Sequence, residues 1–229
     1  MIVYGRNAVH EALRGPRTVG RVWATERAAR EPWLRGAPVS ATSAESIEQR
    51  AGSADHQGIC AEVSDYRYAD AAELLAREDA LIVALDEIQD PQNLGAICRT
   101  AECAGATGVV IPERRSAEVT PAVCKASAGA VEHLAIARVR NLADFLLEAG
   151  SAGAWSYGAA GDARTSYVQP DYRGKVVLVM GSEGSGLRPR VARSCDELIA
   201  LPLRGRIESL NVSAAAAALL YEITRQRGG

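Results

Sequence analysis

Five consecutive alanines, at 214–218, close the stretch LPLRGRIESLNVSAAAAALLY (residues 201–221), which constrains the rest of the chain. Alanine is the strongest helix former and carries almost no bulk. A helix built this way lets another backbone approach closely on nearly every side. A short apolar run at 198–203, interrupted by Pro202, and a polar loop at 204–208 precede it. The step Ser209-Leu210-Asn211-Val212-Ser213 then falls where a helix N-terminus presents free N–H groups and partial positive charge. Two readings fit: a binding loop carried by a helix that enters a tight space, or an ordinary buried helix with a serine cap.

The segments before this stretch alternate between strand and helix character. Residues 81–85, 108–111, 134–139, 154–158, 176–180 and 197–201 read as short apolar strands. Residues 94–104, 119–127, 142–149 and 190–194 read as the helices between them. Apolar strands alternating with helices predict an α/β fold, a parallel sheet covered on both faces. Residues 1–63 read as a smaller α/β unit. It has a helix within 2–14 with Asn7 as a possible cap, strands at 19–25, 38–41 and 59–63, and helices at 27–35 and 43–51. An acidic, tyrosine-containing linker at 64–79 leads to the larger domain, 80–229.

Composition narrows the function classes. No apolar run is long enough to span a membrane and no basic-then-apolar leader opens the chain, so a soluble, cytoplasmic protein is expected. The five cysteines are scattered without a Cys-x-x-Cys, which argues against a zinc site or a disulfide framework. The three histidines lack metal-ligand spacing, and no metal is expected. Residues 1–36 hold seven Arg against three acids, and residues 37–80 hold three Arg against nine acids. Arginine's planar fork suits phosphate, but a compositional preference for Arg explains the same numbers.

Three polar, glycine-containing segments follow strands, where open α/β sheets bind ligands. They are Asn93-Leu94-Gly95-Ala96 with Arg99, Gly181-Ser182-Glu183-Gly184 with Gly186, and Leu201-Pro202-Leu203 with Ser209-Leu210-Asn211-Val212-Ser213. None has the spacing of a dinucleotide fingerprint or a P-loop. Together they resemble the three motifs of the SpoU (TrmH-like) family of RNA ribose 2′-O-methyltransferases, within the SPOUT class. Arg115-Ser116-Ala117 and Ser127-Ala128-Gly129-Ala130 with Glu132 match the family as well. The N-terminal Tyr4-Gly5, Ala8-Val9, Ala12-Leu13 and His56-Gln57-Gly58 resemble the small L30e-like RNA-binding domain that some members carry.

The resemblance implies an α/β trefoil-knot domain that uses S-adenosyl-L-methionine, preceded by an L30e-like RNA-binding domain. It implies cofactor contacts by the backbone at Gly181, Leu201 and Leu210, with Gly184 and Gly205 supplying room. Arg99 becomes the catalytic candidate. Guanidinium is a poor base, which favours a phosphate clamp over proton abstraction. Asn93 would fix the substrate ribose or cap its helix, and Glu183 would orient its loop or Arg99, or act as the base. Ser209 and Asn211 would act near the 2′-hydroxyl or merely cap a helix, and Arg99 could instead pair with Glu102 on the helix surface. The implied partners are RNA and a second copy of the chain, with Leu219, Leu220 and Tyr221 available to a dimer or to the core. The N-terminal extension favours a guanosine of 23S rRNA as substrate. The alternatives are a tRNA ribose and a catalytically silent RNA-binding assembly factor.

Overall fold

The computed structural model describes residues 1–207 and 209–228; Glu208 of the expected polar loop and the terminal Gly229 lie outside the described residues. At the N-terminus, β1 (Ile2–Tyr4), β2 (Val19–Ala24), β3 (Val39–Ala41) and β4 (Ile59–Val63) form a sheet ordered β1-β4-β2-β3. Side chains alternate across it as strand geometry requires. Val3, Val22 and Ala61 face α1 (Arg6–Arg14), packing on Ala8, Val9 and Ala12. Tyr4, Trp23 and Cys60 face α2 (Ala44–Ala51), around Ile47.

Two sequence expectations fail here for local reasons. The helix expected within 2–14 forms as α1, but Asn7 lies inside it and is not its cap. Gly5, at φ 90°, turns the chain between a three-residue strand and α1 and itself occupies the cap position. Nor is 27–35 a single helix. Pro32 pushes Glu31 into extended backbone, leaving two 3-10 turns, Ala28–Arg30 and Pro32–Leu34.

Beyond the short helix α3 (Ala71–Leu75), the larger sheet is parallel throughout. Its strands are β5 (Leu81–Asp86), β6 (Gly108–Pro112), β7 (Ala135–Val139), β8 (Trp155–Ala159), β9 (Thr165–Ser166), β10 (Val176–Gly181) and β11 (Glu197–Ala200). The order β7-β6-β5-β10-β8-β11-β9 inserts β10 between β5 and β8. Its register with β5 runs from Val176 opposite Leu81 to Gly181 opposite Asp86, so both strands end level. All twelve residues of β5 and β10 are buried, which explains their unbroken apolar runs.

Helices cover both faces. On one lie α4 (Pro91–Cys103), α5 (Pro121–Ala126) and α8 (Val212–Gln226); Leu94, Ile97, Val123, Leu219, Leu220 and Ile223 pack on Val83, Leu85, Val109 and Leu178. On the other, α6 (Leu142–Ser151) and α7 (Pro189–Ser194) bring Leu142, Phe145, Leu146 and Val191 onto Ile82, Ala84, Val110 and Val177. Each Val, Leu, Ile or Phe among them contributes about 1.5–3 kcal/mol by leaving water. Within the alanine run only Ala216 is fully buried, and Ala214 and Ala218 are exposed. The helix therefore packs closely on one face rather than on nearly every side. Leu219 and Leu220 belong to the core, and Tyr221 remains exposed.

The two sheets are joined by a buried ion pair. Arg17 Nε donates to Glu132 Oε2 at 2.9 Å, and the two side chains are only 6% and 1% exposed. Beside it, Gly129 meets α1 so closely that a Cβ there would sit 2.6 Å from Cβ of Glu11. No helix among the described residues is long and apolar enough to cross a membrane.

Candidate active site

The carboxyl ends of β5, β8, β10 and β11 form one edge of the large sheet, and the motif loops leave from it. After β5, Asp90 caps α4 by accepting from Gln92 N at 3.0 Å, and Pro91 opens the helix where its missing N–H costs nothing. The helix thus begins three residues earlier than the sequence expectation, and Asn93 sits buried in its first turn. Gly95 has its own reason: a Cβ would lie 2.4 Å from Cβ of Ala126 on α5.

Gly181 ends β10 where no side chain fits, because an added Cβ would come 2.2 Å from the carbonyl carbon of Gly186. The loop folds back on its own strand: Ser182 N donates to Gly186 O at 3.1 Å, and Gly186 N to Ser182 O at 3.0 Å. Close approach is confined to Gly181. Gly184 has no neighbour within 4 Å, and Gly205 meets only Ile207 N at 4.0 Å, so neither is required by packing. Arg188 anchors the far end of the loop, its backbone N and Nε each donating to the Asp86 carboxylate at 2.8 Å.

The cap of α8 is Asn211 rather than a serine. Its Oδ1 accepts from Ser213 N at 2.9 Å and from Ala214 N at 3.3 Å. Capping dictates which way the amide points, so Nδ2 faces outward. It donates to Asn93 Oδ1 at 2.9 Å and to Glu183 Oε1 at 2.5 Å, while Asn93 Nδ2 donates to the same Glu183 oxygen at 3.2 Å. Asn93, Glu183 and Asn211, one from each motif, thereby close a triangle. Capping and network contact are simultaneous roles of one side chain rather than alternatives.

Beside the triangle opens a cleft of ≈ 260 Å³ whose lining includes Gly181, Glu183, Leu201, Leu203, Ser209 and Leu210. Met180, Ile199 and Leu219 also line it, and Ala159, Ala160 and Gly161 form a further wall. Ser209 lines this space but joins no hydrogen bond of the triangle. The cleft combines small or apolar residues with backbone polar groups, and one carboxylate stands at its side.

Arg99 lies elsewhere. Six residues beyond Asn93 on a helix is about 9 Å along the axis and about 240° around it. Arg99 lines an open groove of ≈ 670 Å³ between α1 and α4, with Arg14, Glu11 and His133. Among the described residues it makes no ion pair with Glu102. The histidines hold local structure: His56 Nδ1 accepts from Gly58 N at 2.9 Å, His133 Nε2 meets Glu11 at 2.8 Å, and His10 packs on Trp33. Burial pushes the Cys98 thiol up to about 12 and the Cys124 thiol up to about 11, which removes both as nucleophiles.

The sequence reading missed two parts of the site. Asp86, an acid closing an apolar strand, needed a partner, and that signal pointed to an arginine such as Arg188. The small run Ala159-Ala160-Gly161 after a strand marked another wall of the cleft.

An all-parallel sheet with a ligand-sized cleft at its carboxyl edge, and a smaller α/β unit locked beside it, defines the class as a two-part α/β ligand-binding fold. The chain belongs to the SpoU rRNA methylase family, whose profile matches residues 80–221; a second profile, described as RNA 2′-O ribose methyltransferase substrate binding, matches residues 2–69. An uncharacterized tRNA/rRNA methyltransferase of Synechocystis is 41% identical over 99% of this chain, which spans 63% of that relative's length. A 23S rRNA (guanosine-2′-O-)-methyltransferase of Pseudomonas putida, RlmB, is 39% identical over 98% of this chain and 96% of its own. Among solved structures, the AdoMet-bound rRNA methyltransferase of Sinorhizobium meliloti superposes with a TM-score of 0.82 at 29% identity, covering 98% of this chain and 86% of that one.

Proposed function

We propose that the chain transfers a methyl group from S-adenosyl-L-methionine to a ribose 2′-hydroxyl of RNA, the target being a guanosine of 23S rRNA. The observation that carries this reading is the triangle of Asn93, Glu183 and Asn211 beside a cleft bordered by Gly181, Leu201 and Leu210. The cleft fits the cofactor in kind. Leu201, Leu203 and Leu210 offer apolar walls, the bare backbone at Gly181 can be approached closely, and the Glu183 carboxylate complements a sulfonium. When bound, the cofactor supplies an electrophilic methyl, so no other activating group is needed on that side.

The residues then have separable tasks. Gly181, Leu201 and Leu210 hold the cofactor through backbone groups. Asn93 and Asn211 fix Glu183 and position the ribose, and Ser209 approaches the hydroxyl from the cleft wall. Glu183 would accept the hydroxyl proton, or would orient the ribose while solvent takes it. Arg99, a permanent cation, clamps an RNA phosphate from its groove and so aligns the nucleotide. Residues 1–63 form the RNA reader, 64–79 the connection and 80–229 the methyltransferase domain, with the trefoil knot of its class and a homodimer as the working form.

The 23S assignment rests on the activity of the Pseudomonas relative together with the N-terminal unit. Mapping ribose-methylated nucleotides in total RNA from cells with and without the protein tests it. A single guanosine of 23S rRNA that loses its methyl group supports the reading. Loss in tRNA moves the substrate, and an unchanged map refutes the enzyme.

A further inference from the structure

A second charged cavity lies on the carboxyl edge of the large sheet, outside the cleft. It measures ≈ 390 Å³, and its lining includes Arg114, Arg115, Arg140, Arg188 and Arg190, with Glu87 on its wall. Three of these arginines are committed to acids. Arg188 holds Asp86 at 2.7 Å and Glu87 at 3.2 Å, Arg115 reaches Glu87 at 3.6 Å, and Arg190 holds Asp144 at 2.5 Å. Arg114 and Arg140 have no acid partner among the described residues. Five cations therefore face three anions, a local excess of two.

Backbone conformation points the same way. Glu87 and Arg115 both adopt left-handed φ, 58° and 57°, and both line this cavity. Non-glycine residues held there store strain, which the surrounding structure must enforce. Here the strain places a carboxylate between two guanidinium groups and leaves Arg114 beside them with its fork free. The cavity also receives the start of α6, through Asn141 and Ala143, whose end carries partial positive charge.

We propose that this arginine groove is a second RNA contact, binding backbone phosphates of nucleotides that neighbour the methylated ribose. This rests on the reading of the chain as an RNA methyltransferase. Its position fits that use. The groove meets the ends of β6 and β7, while the Gly181 loop leaves β10; β6 stands two strands from β10, about 10 Å at ordinary strand spacing. Arg188 belongs to both places, since it lines the groove and anchors the loop that carries Glu183. The groove opens toward the α6 and α7 face, whereas the N-terminal unit docks beside α4 and α5. RNA held by that unit and crossing the edge past the triangle reaches the groove on the far side. Arginine forks match phosphate oxygens bidentately, and among the described residues no aromatic one lines the groove for base stacking.

The test compares the full chain with its R114A/R140A variant, which removes the two uncommitted arginines and breaks no ion pair. Binding to a 23S rRNA transcript is measured across a salt series, S-adenosylmethionine affinity by calorimetry, and turnover against RNA concentration. The variant should bind RNA at least about tenfold more weakly at low salt, and its plot of log affinity against log salt should be shallower by about 1.4–1.8, the release from two phosphates. The RNA KM rises, while kcat and cofactor affinity hold. R114K/R140K, which restores the charges, should recover most of the slope. Unchanged RNA affinity and slope in R114A/R140A overturn the inference while leaving the methyltransferase reading intact. Loss of inorganic phosphate binding without any change toward RNA also overturns it, marking a small-anion site. A wild-type chain that neither binds nor methylates RNA overturns both.

Discussion

Asn211 performs two tasks through the two ends of one amide, and substitution can separate them. Asn211→Ala removes the oxygen that accepts from Ser213 N and Ala214 N and the nitrogen that reaches Asn93 and Glu183. Losing an N-cap of this kind costs about 1 kcal/mol. The Glu183 contact adds little to stability, because Glu183 is exposed. A chain of this size loses about 2–4 °C of melting temperature per kcal/mol, so the alanine variant should melt about 2–4 °C lower. Asn211→Ser keeps a capping oxygen of equal rank but cannot span to Asn93 and Glu183, and should melt within about 1 °C of wild type. Turnover should fall in both variants by ~10²–10³-fold, the scale of one oriented contact at a reacting centre. Thermal melting and single-turnover methylation measure the two effects separately. A serine variant with wild-type turnover would reduce Asn211 to a helix cap and refute its catalytic placement. An alanine variant with unchanged melting would refute the cap.

Arg99→Ala should keep cofactor affinity in calorimetry and lose at least ~100-fold in turnover; unchanged turnover removes Arg99 from the mechanism. Arg17→Ala strands Glu132 in the interface and should cost about 3–5 kcal/mol, whereas R17M/E132L should be near neutral, because breaking a buried pair costs far more than replacing it; denaturant unfolding of both reads the difference. Hydrogen bonds from Arg225 and then Gln226 hold the Glu222 carboxyl down to about 2 against an ordinary 4.5. A depressed carboxyl stabilises the fold above its unfolded value and loses that contribution as pH falls through its folded one. Stability from this group is thus complete above about pH 4.5 and fades toward pH 2, and Glu222→Gln should flatten the acid limb of the unfolding profile in that window.

Much of the fold was legible because burial leaves a simple pattern. β5 and β10 are apolar without interruption since both faces are covered, whereas Asp90-Pro91 lies in a stretch that reads as loop, because its capping chemistry starts α4 before the first apolar position. β1 and β9 escaped notice, having three and two residues, too few for periodicity to register. The insertion of β10 between β5 and β8 is a long-range choice that no local pattern encodes. In the site, the three motif segments were visible as polar glycine-bearing runs after strands. Their convergence through Asn93, Glu183 and Asn211 was not, because it depends on how α4 and α8 meet. Arg99 shows the converse: its place in a motif says nothing about direction, and helix rotation carries it to a different groove.

The Arg17–Glu132 pair has a consequence for how a target is chosen. A tethered arm samples many distances, so an enzyme built that way accepts any site within reach. Here the N-terminal sheet is bolted to the larger one by a charge pair sealed from water, with Gly129 pressed against α1 alongside. The separation between α1 and Glu183 at the cleft is then set by the fold rather than by a flexible tether. On the proposed function, any adjustment of span between the two units falls to the RNA.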